Sequence, residues 1–259
     1  MRTAVSADGT RIAFDRYGDG PPVIMAAGAF NTRAATEPLA RALGQHVTVL
    51  NYDRRGRGDS GDTPPYAAAR EIEDIDALIT EAGGAAALFG YSSGAILALD
   101  AAASGLAITH LVLYEPPFRP DDSYPALPAS LPGQLAGLVA AGRRGDAVEL
   151  YQTQAVGIPE DVVAQMRHAP FRPGLEAIAH TLVYDATICG DLSLPAGMIA
   201  SIMTPALVIT GEHSPPYLTA GARAVAQTLP NGQLASLPGQ GHDISPEATA
   251  PVMAEFLAT

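Results

Sequence analysis

The 259-residue chain carries 27 acidic and 15 basic side chains, for a formal net charge of −12. That balance excludes the basic patches that nucleic acid or an anionic membrane surface rewards as a partner. With 47% hydrophobic residues the chain can bury a sizeable core.

The single cysteine, Cys189, has no partner for an intramolecular disulfide. No clustered Cys or His in the sequence suggests a metal, so Cys189 reads as a small buried hydrophobe. Residues 1–20 contain Asp8, Arg11, Asp15, Arg16 and Asp19, and no apolar stretch suited to a signal peptide. The most apolar segment, 94–113, is broken by Asp100, Ser104 and His110, too often for a bilayer span. A cytoplasmic protein is expected.

In chain order, residues 2–6 and 11–17 flank an Asp8-Gly9 turn and predict an N-terminal hairpin. Residues 22–27 and 47–52 predict buried strands, with a helix over 34–43 between them. Residues 66–82 form the clearest amphipathic helix. Ile72, Ile75, Leu78, Ile79 and Ala82 share one face, and Glu71, Glu73, Asp74 and Asp76 are expected elsewhere on its surface. Gly83-Gly84 ends it. A buried strand follows over 86–90, then a helix over 93–104 that is apolar nearly all round, then a strand over 110–114.

The texture changes at Pro116, Pro117, Pro120, Pro125, Pro128 and Pro132. No strand pattern returns until about residue 206, and helices are expected over 135–154 and 176–184. Residues 118–200 are therefore read as a helical cap inserted into a core made of 1–117 and 201–259. A strand over 206–210, a helix over 217–229, a strand over 234–237 and a helix over 246–257 close the chain. This alternation predicts an α/β fold, a mostly parallel sheet of about eight strands flanked by helices.

The chemistry is carried by Gly90-Tyr91-Ser92-Ser93-Gly94, a G-x-S-x-G pattern at a predicted strand-to-helix turn. A nucleophilic serine there sits in a strained backbone conformation, and side chains two residues before and after it would collide. Such a hydroxyl needs a base. Of the six histidines, His242 lies in a loop between the last strand and the last helix, at the edge of the sheet where the serine turn sits. His46 and His110 lie at the opposite edge, His168 and His180 in the cap, and His213 follows a strand nearby.

Through these segments the chain resembles the α/β-hydrolase superfamily over nearly its whole length, and it is similar to a group of small actinobacterial-type hydrolases. Asp53-Arg54-Arg55-Gly56-Arg57-Gly58-Asp59-Ser60 looks like that family's structural loop after its fourth strand. Ala27-Gly28-Ala29-Phe30 lies where the family usually carries His-Gly-x, its oxyanion loop, with Ala27 in place of the histidine. The resemblance implies an oxyanion hole made by the backbone N–H groups of Ala29 and Ser93.

The third triad member departs from the pattern. The family acid usually follows the strand after the cap in a Gly-x-x-Asp arrangement, and here Gly211-Glu212-His213-Ser214 puts Ser214 at the acid position. Three carboxylates remain open. Glu115 directly follows the strand next to the serine strand, a point where some family members, haloalkane dehalogenases among them, place their acid. Glu212 lies just past its own strand, and Asp243 is adjacent to the histidine. A site with no acid is the fourth possibility.

Phe30, Tyr91, Phe118, Met166, Phe171, His180 and Tyr184 are expected to line a pocket between cap and sheet edge that takes a small or medium uncharged substrate. The expected activity is ester or acyl hydrolysis by Ser92, His242 and Glu115, needing neither metal nor organic cofactor, in a monomer or homodimer whose partner is a small-molecule substrate. A lyase- or cyclase-like reaction on the same scaffold is the alternative, as is a ligand-binding protein with vestigial activity.

Overall fold

A computed structural model describes residues 1–121, 123–124 and 126–259; Pro125 of the proline series lies outside them. Among the described residues eight strands form one sheet: β1 (Arg2–Val5), β2 (Arg11–Tyr17), β3 (Pro22–Ala26), β4 (Thr48–Tyr52), β5 (Ala86–Tyr91), β6 (Ile108–Tyr114), β7 (Ala206–Gly211) and β8 (Gly232–Leu237). Their spatial order is β1-β2-β4-β3-β5-β6-β7-β8. The β1–β2 hairpin is antiparallel, β2 runs antiparallel to β4, and every other pairing is parallel.

Helices cover both faces, as a parallel sheet requires. α1 (Arg33–Leu43) and the last helix cover one face; α2 (Ala68–Glu81) and α3 (Ser93–Ala103) cover the other. Alternation along β3 shows the division. Val23 and Met25 join Leu39, Leu43, Phe89 and Met253 in one core cluster, while Ile24 joins Ile75, Leu78 and Leu97 in the other. α3 is buried along almost its whole length, as its apolar circumference predicts.

Between β6 and β7 the described residues form helices: α4 (Leu131–Ala140), α5 (Arg144–Tyr151), α6 (Glu160–Met166), α7 (Arg172–Ala177), α8 (Leu182–Cys189) and α9 (Ala196–Ile199). α10 (Pro216–Thr228) and α11 (Pro246–Leu257) complete the chain. The single helix expected over 135–154 is broken. Gly142 takes φ 73°, the left-handed conformation that stops α4, and α5 then runs into a π-turn at Gln152–Val156. The expected helix over 176–184 is likewise the end of α7, a 3₁₀ turn at Ala179–Thr181 and the start of α8, because Ile178 leaves the helical region at φ −107°, ψ 15°. Among the described residues no helix is long and apolar enough to cross a membrane.

The acidic residues of α2 need a correction. Glu71 and Asp74 are not on the surface; each is 1% exposed. The reason is the loop after β4, which buries three guanidinium groups. Arg54 donates to Glu71 through Nε at 2.6 Å and Nη2 at 2.8 Å. Arg55 donates to Asp74 through Nε at 2.8 Å and Nη2 at 2.7 Å, and to Asp8 through Nη1 at 2.9 Å. A buried cation is tolerated only with such partners, so the carboxylates are drawn inward.

This arrangement predicts that Glu71→Gln lowers unfolding free energy by about 3–5 kcal/mol, the cost of leaving a buried charge unpaired. Glu73→Gln, which breaks a partly exposed i,i+3 pair with Arg70, is expected to cost less than about 1 kcal/mol. Urea unfolding of the two variants measures the contrast.

Candidate active site

Ser92 sits between β5 and α3 at φ 55°, ψ −120°. The two flanking glycines show why the turn has this sequence. A Cβ on Gly90 would lie 2.4 Å from the Gly94 carbonyl oxygen, and one on Gly94 would lie 2.4 Å from the Ala26 carbonyl oxygen. Neither approach leaves room for a side chain. The Ser92 amide is anchored to the neighbouring strand, donating to the Tyr114 carbonyl at 2.9 Å.

The next residue after that strand end is Glu115, also in the left-handed region at φ 49° and 0% exposed. Its Oε1 accepts from the Gly211 amide at 2.7 Å and from the Thr210 hydroxyl at 3.0 Å, both on β7. Its Oε2 lies 2.5 Å from Nδ1 of His242. Burial would push the Glu115 carboxyl up, but hydrogen bonds from His242 and the Gly211 amide, with a contribution from Ser214, outweigh it and hold the group below its ordinary value. The His242 ring packs against Tyr91, with centroids 5.0 Å apart.

The other acid candidates are placed differently. Glu212 is exposed and accepts from the Gly239 amide at 2.8 Å. Asp243 is exposed and lines the cavity, and Ser214 is buried in the same turn as Glu212. None of the remaining histidines lines the cavity with Ser92. His46, His168 and His213 are exposed, His110 packs on Phe256, and His180 lies by Asp62 and Tyr184.

Ser92 and His242 line one cavity of about 260 Å³, together with Ala29, Ser93, Phe30 and Tyr91. No hydrogen bond joins Ser92 to His242 among the described residues. Ser93 is the first residue of α3, so its N–H has no intrahelical acceptor.

Of the pocket residues expected from sequence, Phe30 and Tyr91 line this cavity and the other five do not. Phe118 is buried in the main core at 2% exposure, Phe171 is 51% exposed, and Met166 is half-buried at the end of α6. His180 and Tyr184 face the loop after β4 instead. Tyr184 stacks on Tyr66 at 3.8 Å and donates to Asp62 at 2.6 Å. The walls that sequence reasoning missed include Asn31, Pro117, Tyr151, Leu192, Tyr217 and Leu218. Tyr151 meets Phe30 edge to face at 5.3 Å. Cys189 is buried as expected, and burial pushes its thiol up to about 12, which leaves it unreactive.

Backbone strain converges on the same place. Among the described residues four non-glycine residues take positive φ: Phe30, Ser92, Glu115 and Leu192. Three line the cavity and the fourth holds His242.

Because the folded-state pKa of Glu115 is lowered, its ionised form stabilises the fold above the ordinary carboxylate value of 4.5, and that contribution is lost as pH falls through the lower folded value. The stability difference between wild type and Glu115→Gln is therefore expected to hold steady above about pH 5.5 and to shrink steadily below 4.5. Urea unfolding across that range tests it, and a difference that grows on acidification contradicts the assignment.

Comparison with known proteins agrees with this architecture. The chain is similar to an alpha/beta hydrolase from Sphaerobacter thermophilus DSM 20745, with 54% identity and a TM-score of 0.93 over 99% of this chain and 100% of that one. It is 30% identical to an L-allo-isoleucyltransferase of Pseudomonas savastanoi pv. glycinea over 71% of this chain and 66% of that protein. It is 27% identical to the polyketide synthase ThaQ of Burkholderia thailandensis over 96% of this chain, which spans only 12% of that protein. Residues 20–255 match the alpha/beta hydrolase family, and the chain, with its eight-stranded sheet, belongs to that family.

Proposed function

We propose that the protein is a serine hydrolase of small, uncharged esters or related acyl compounds, with Ser92 as nucleophile, His242 as general base and Glu115 as the orienting acid. The observation that carries this reading is the 2.5 Å contact between Glu115 Oε2 and His242 Nδ1, made beside a serine that shares the His242 cavity. A carboxylate on Nδ1 selects the tautomer with its proton there and leaves Nε2 free to accept one.

In the acylation step Ser92 Oγ attacks the acyl carbon while its proton passes to His242 Nε2. The oxyanion is held by the N–H groups of Ala29 and Ser93. Collapse breaks the bond to the leaving alcohol, which takes the proton from His242. Water then attacks the acyl-enzyme with His242 again as base, releasing the acid and restoring Ser92.

The cavity supports a small, uncharged substrate. At about 260 Å³ it lies at the small end of ligand pockets, which run from roughly 300 Å³ upward. Its walls are Phe30, Tyr91, Pro117, Tyr151, Leu192 and Tyr217, and among the described residues that line it there is no Arg and the one carboxylate is Asp243. An anionic acyl group would meet no counter-charge there.

The test combines a fluorophosphonate probe, mapped by mass spectrometry, with a p-nitrophenyl ester series. Labelling at Ser92, turnover abolished in Ser92→Ala and a decline beyond medium acyl chains are expected. Glu115→Gln is expected to lower kcat on the order of 10²- to 10⁴-fold with KM little changed, while Glu212→Gln and Asp243→Asn stay near wild type. Folded protein that is neither labelled nor active, yet binds small esters, supports a ligand-binding protein instead.

A further inference from the structure

The helical insertion reaches under the serine turn and contributes a carboxylate to it. Asp185, on α8, is 0% exposed. Its Oδ1 accepts from the Ser93 hydroxyl and from Arg54 Nη1, each at 2.8 Å, and its Oδ2 accepts from Arg57 Nη2 at 2.7 Å. Burial would raise the Asp185 carboxyl, but Arg57 and Arg54 hold it below its ordinary value, so it remains an anion.

The two arginines carry the contact onward. Arg57 Nη1 donates to the Gly28 carbonyl at 2.6 Å and to the Asn31 carbonyl at 3.2 Å, and Arg54 Nη1 reaches the Ala27 carbonyl at 3.3 Å. The bond to Gly28 matters most. In a trans peptide the C=O and the following N–H point in opposite directions within one rigid plane. Fixing the Gly28 carbonyl therefore fixes the direction of the Ala29 N–H. On the other side, the Ser93 side chain that Asp185 holds belongs to the residue carrying the second N–H of the hole.

We infer that Asp185 is a positioning residue for the oxyanion hole, aiming the Ala29 N–H through Arg57 and steadying the Ser93 N–H through the Ser93 hydroxyl. The inference rests on the serine-hydrolase reading above. It gives the insertion a part in transition-state binding besides that of a pocket wall. A carboxylate that merely neutralised two buried arginines would affect stability and leave the selectivity for a tetrahedral species untouched.

Three variants separate these roles. Asp185→Asn removes the charge. Arg57→Lys keeps the cation but replaces a fork that binds Asp185 and Gly28 at once with a single ammonium. Ser93→Ala cuts the direct arm and leaves every charge in place. Each is assayed for kcat and KM on a p-nitrophenyl ester, for affinity toward an alkyl boronic acid, which forms a reversible tetrahedral adduct with Ser92 Oγ, and for inhibition by the product alcohol.

Since losing one oxyanion donor outright costs about 10²- to 10³-fold, misaiming one is expected to lower kcat by roughly 10- to 100-fold in Asp185→Asn and Arg57→Lys and about 5-fold in Ser93→Ala. Boronate affinity is expected to fall in parallel, with KM and alcohol inhibition within about threefold of wild type. If Asp185→Asn does not fold, Arg57→Lys and Ser93→Ala decide between the two roles. Folded variants that keep kcat and boronate affinity within about twofold overturn the inference, as does a loss shared equally by boronate and alcohol. Wild-type labelling at Ser92 shows in those cases that only the positioning role has failed; a wild type that neither turns over nor binds boronate overturns both readings.

Discussion

The structure depends on a constraint that three guanidinium groups impose. Arg54, Arg55 and Arg57 come from one loop, and none is more than 1% exposed. Each must therefore find carboxylates inside the protein, and they find them on elements far apart in the chain: Asp8 in the N-terminal hairpin turn, Glu71 and Asp74 on α2, and Asp185 on α8. Moving any of these elements would leave a buried charge without its partner, at a cost of several kcal/mol. All fifteen basic residues of the chain are arginine, and lysine is absent. In this loop the choice has a direct reason. Arg54 and Arg55 each donate through Nε and both Nη atoms to more than one acceptor, which one ammonium cannot do with the same geometry.

The residues of the proposed triad sit where three adjacent strands end together. β5 delivers Ser92, β6 delivers Glu115, and β7 supplies the amide and hydroxyl that bind Glu115. The carboxylate thus lies across the end of β7, the strand after which the family usually places its acid. Ser214 leaves the usual position without a charge, and Glu115 approaches the same histidine nitrogen from the neighbouring strand. The Tyr114 hydroxyl donates to the Gly241 carbonyl at 2.9 Å, tying the histidine loop to β6.

Most of the fold is legible in the sequence because local patterns and tertiary needs agree. Alternation and turn signals mark the hairpin, apolar runs mark the central strands, and the glycines around Ser92 mark the elbow. The proposed acid is less legible. Glu115, Glu212 and Asp243 all lie in loops near the histidine, and the choice rests on a left-handed backbone at Glu115 that no neighbouring residue announces. The cavity walls are mostly hidden, because which insertion residues face the sheet depends on how short helices fold back. Tyr151 points to the cavity from the end of α5, while Phe171, an equally good aromatic candidate, lies in solvent. The inward turn of Glu71 and Asp74 does have a signal in the sequence. Three arginines in a structural loop require buried acids, and α2 offers the nearest supply.

Positive φ at Phe30, Ser92, Glu115 and Leu192 also bears on how this chain can evolve. A non-glycine residue in such a conformation costs roughly 1–3 kcal/mol, so four of them approach the roughly 5–15 kcal/mol net stability of a typical domain. The surrounding packing must supply that difference continuously. Relaxing a single position, for instance by glycine at Leu192, would raise heat tolerance while blurring the wall it forms. Selection for thermal endurance and selection for turnover therefore pull on the same four residues in opposite directions. Gains in endurance that spare activity must come from the far side of the sheet, where α1 and α11 pack and no strained residue lies among those described.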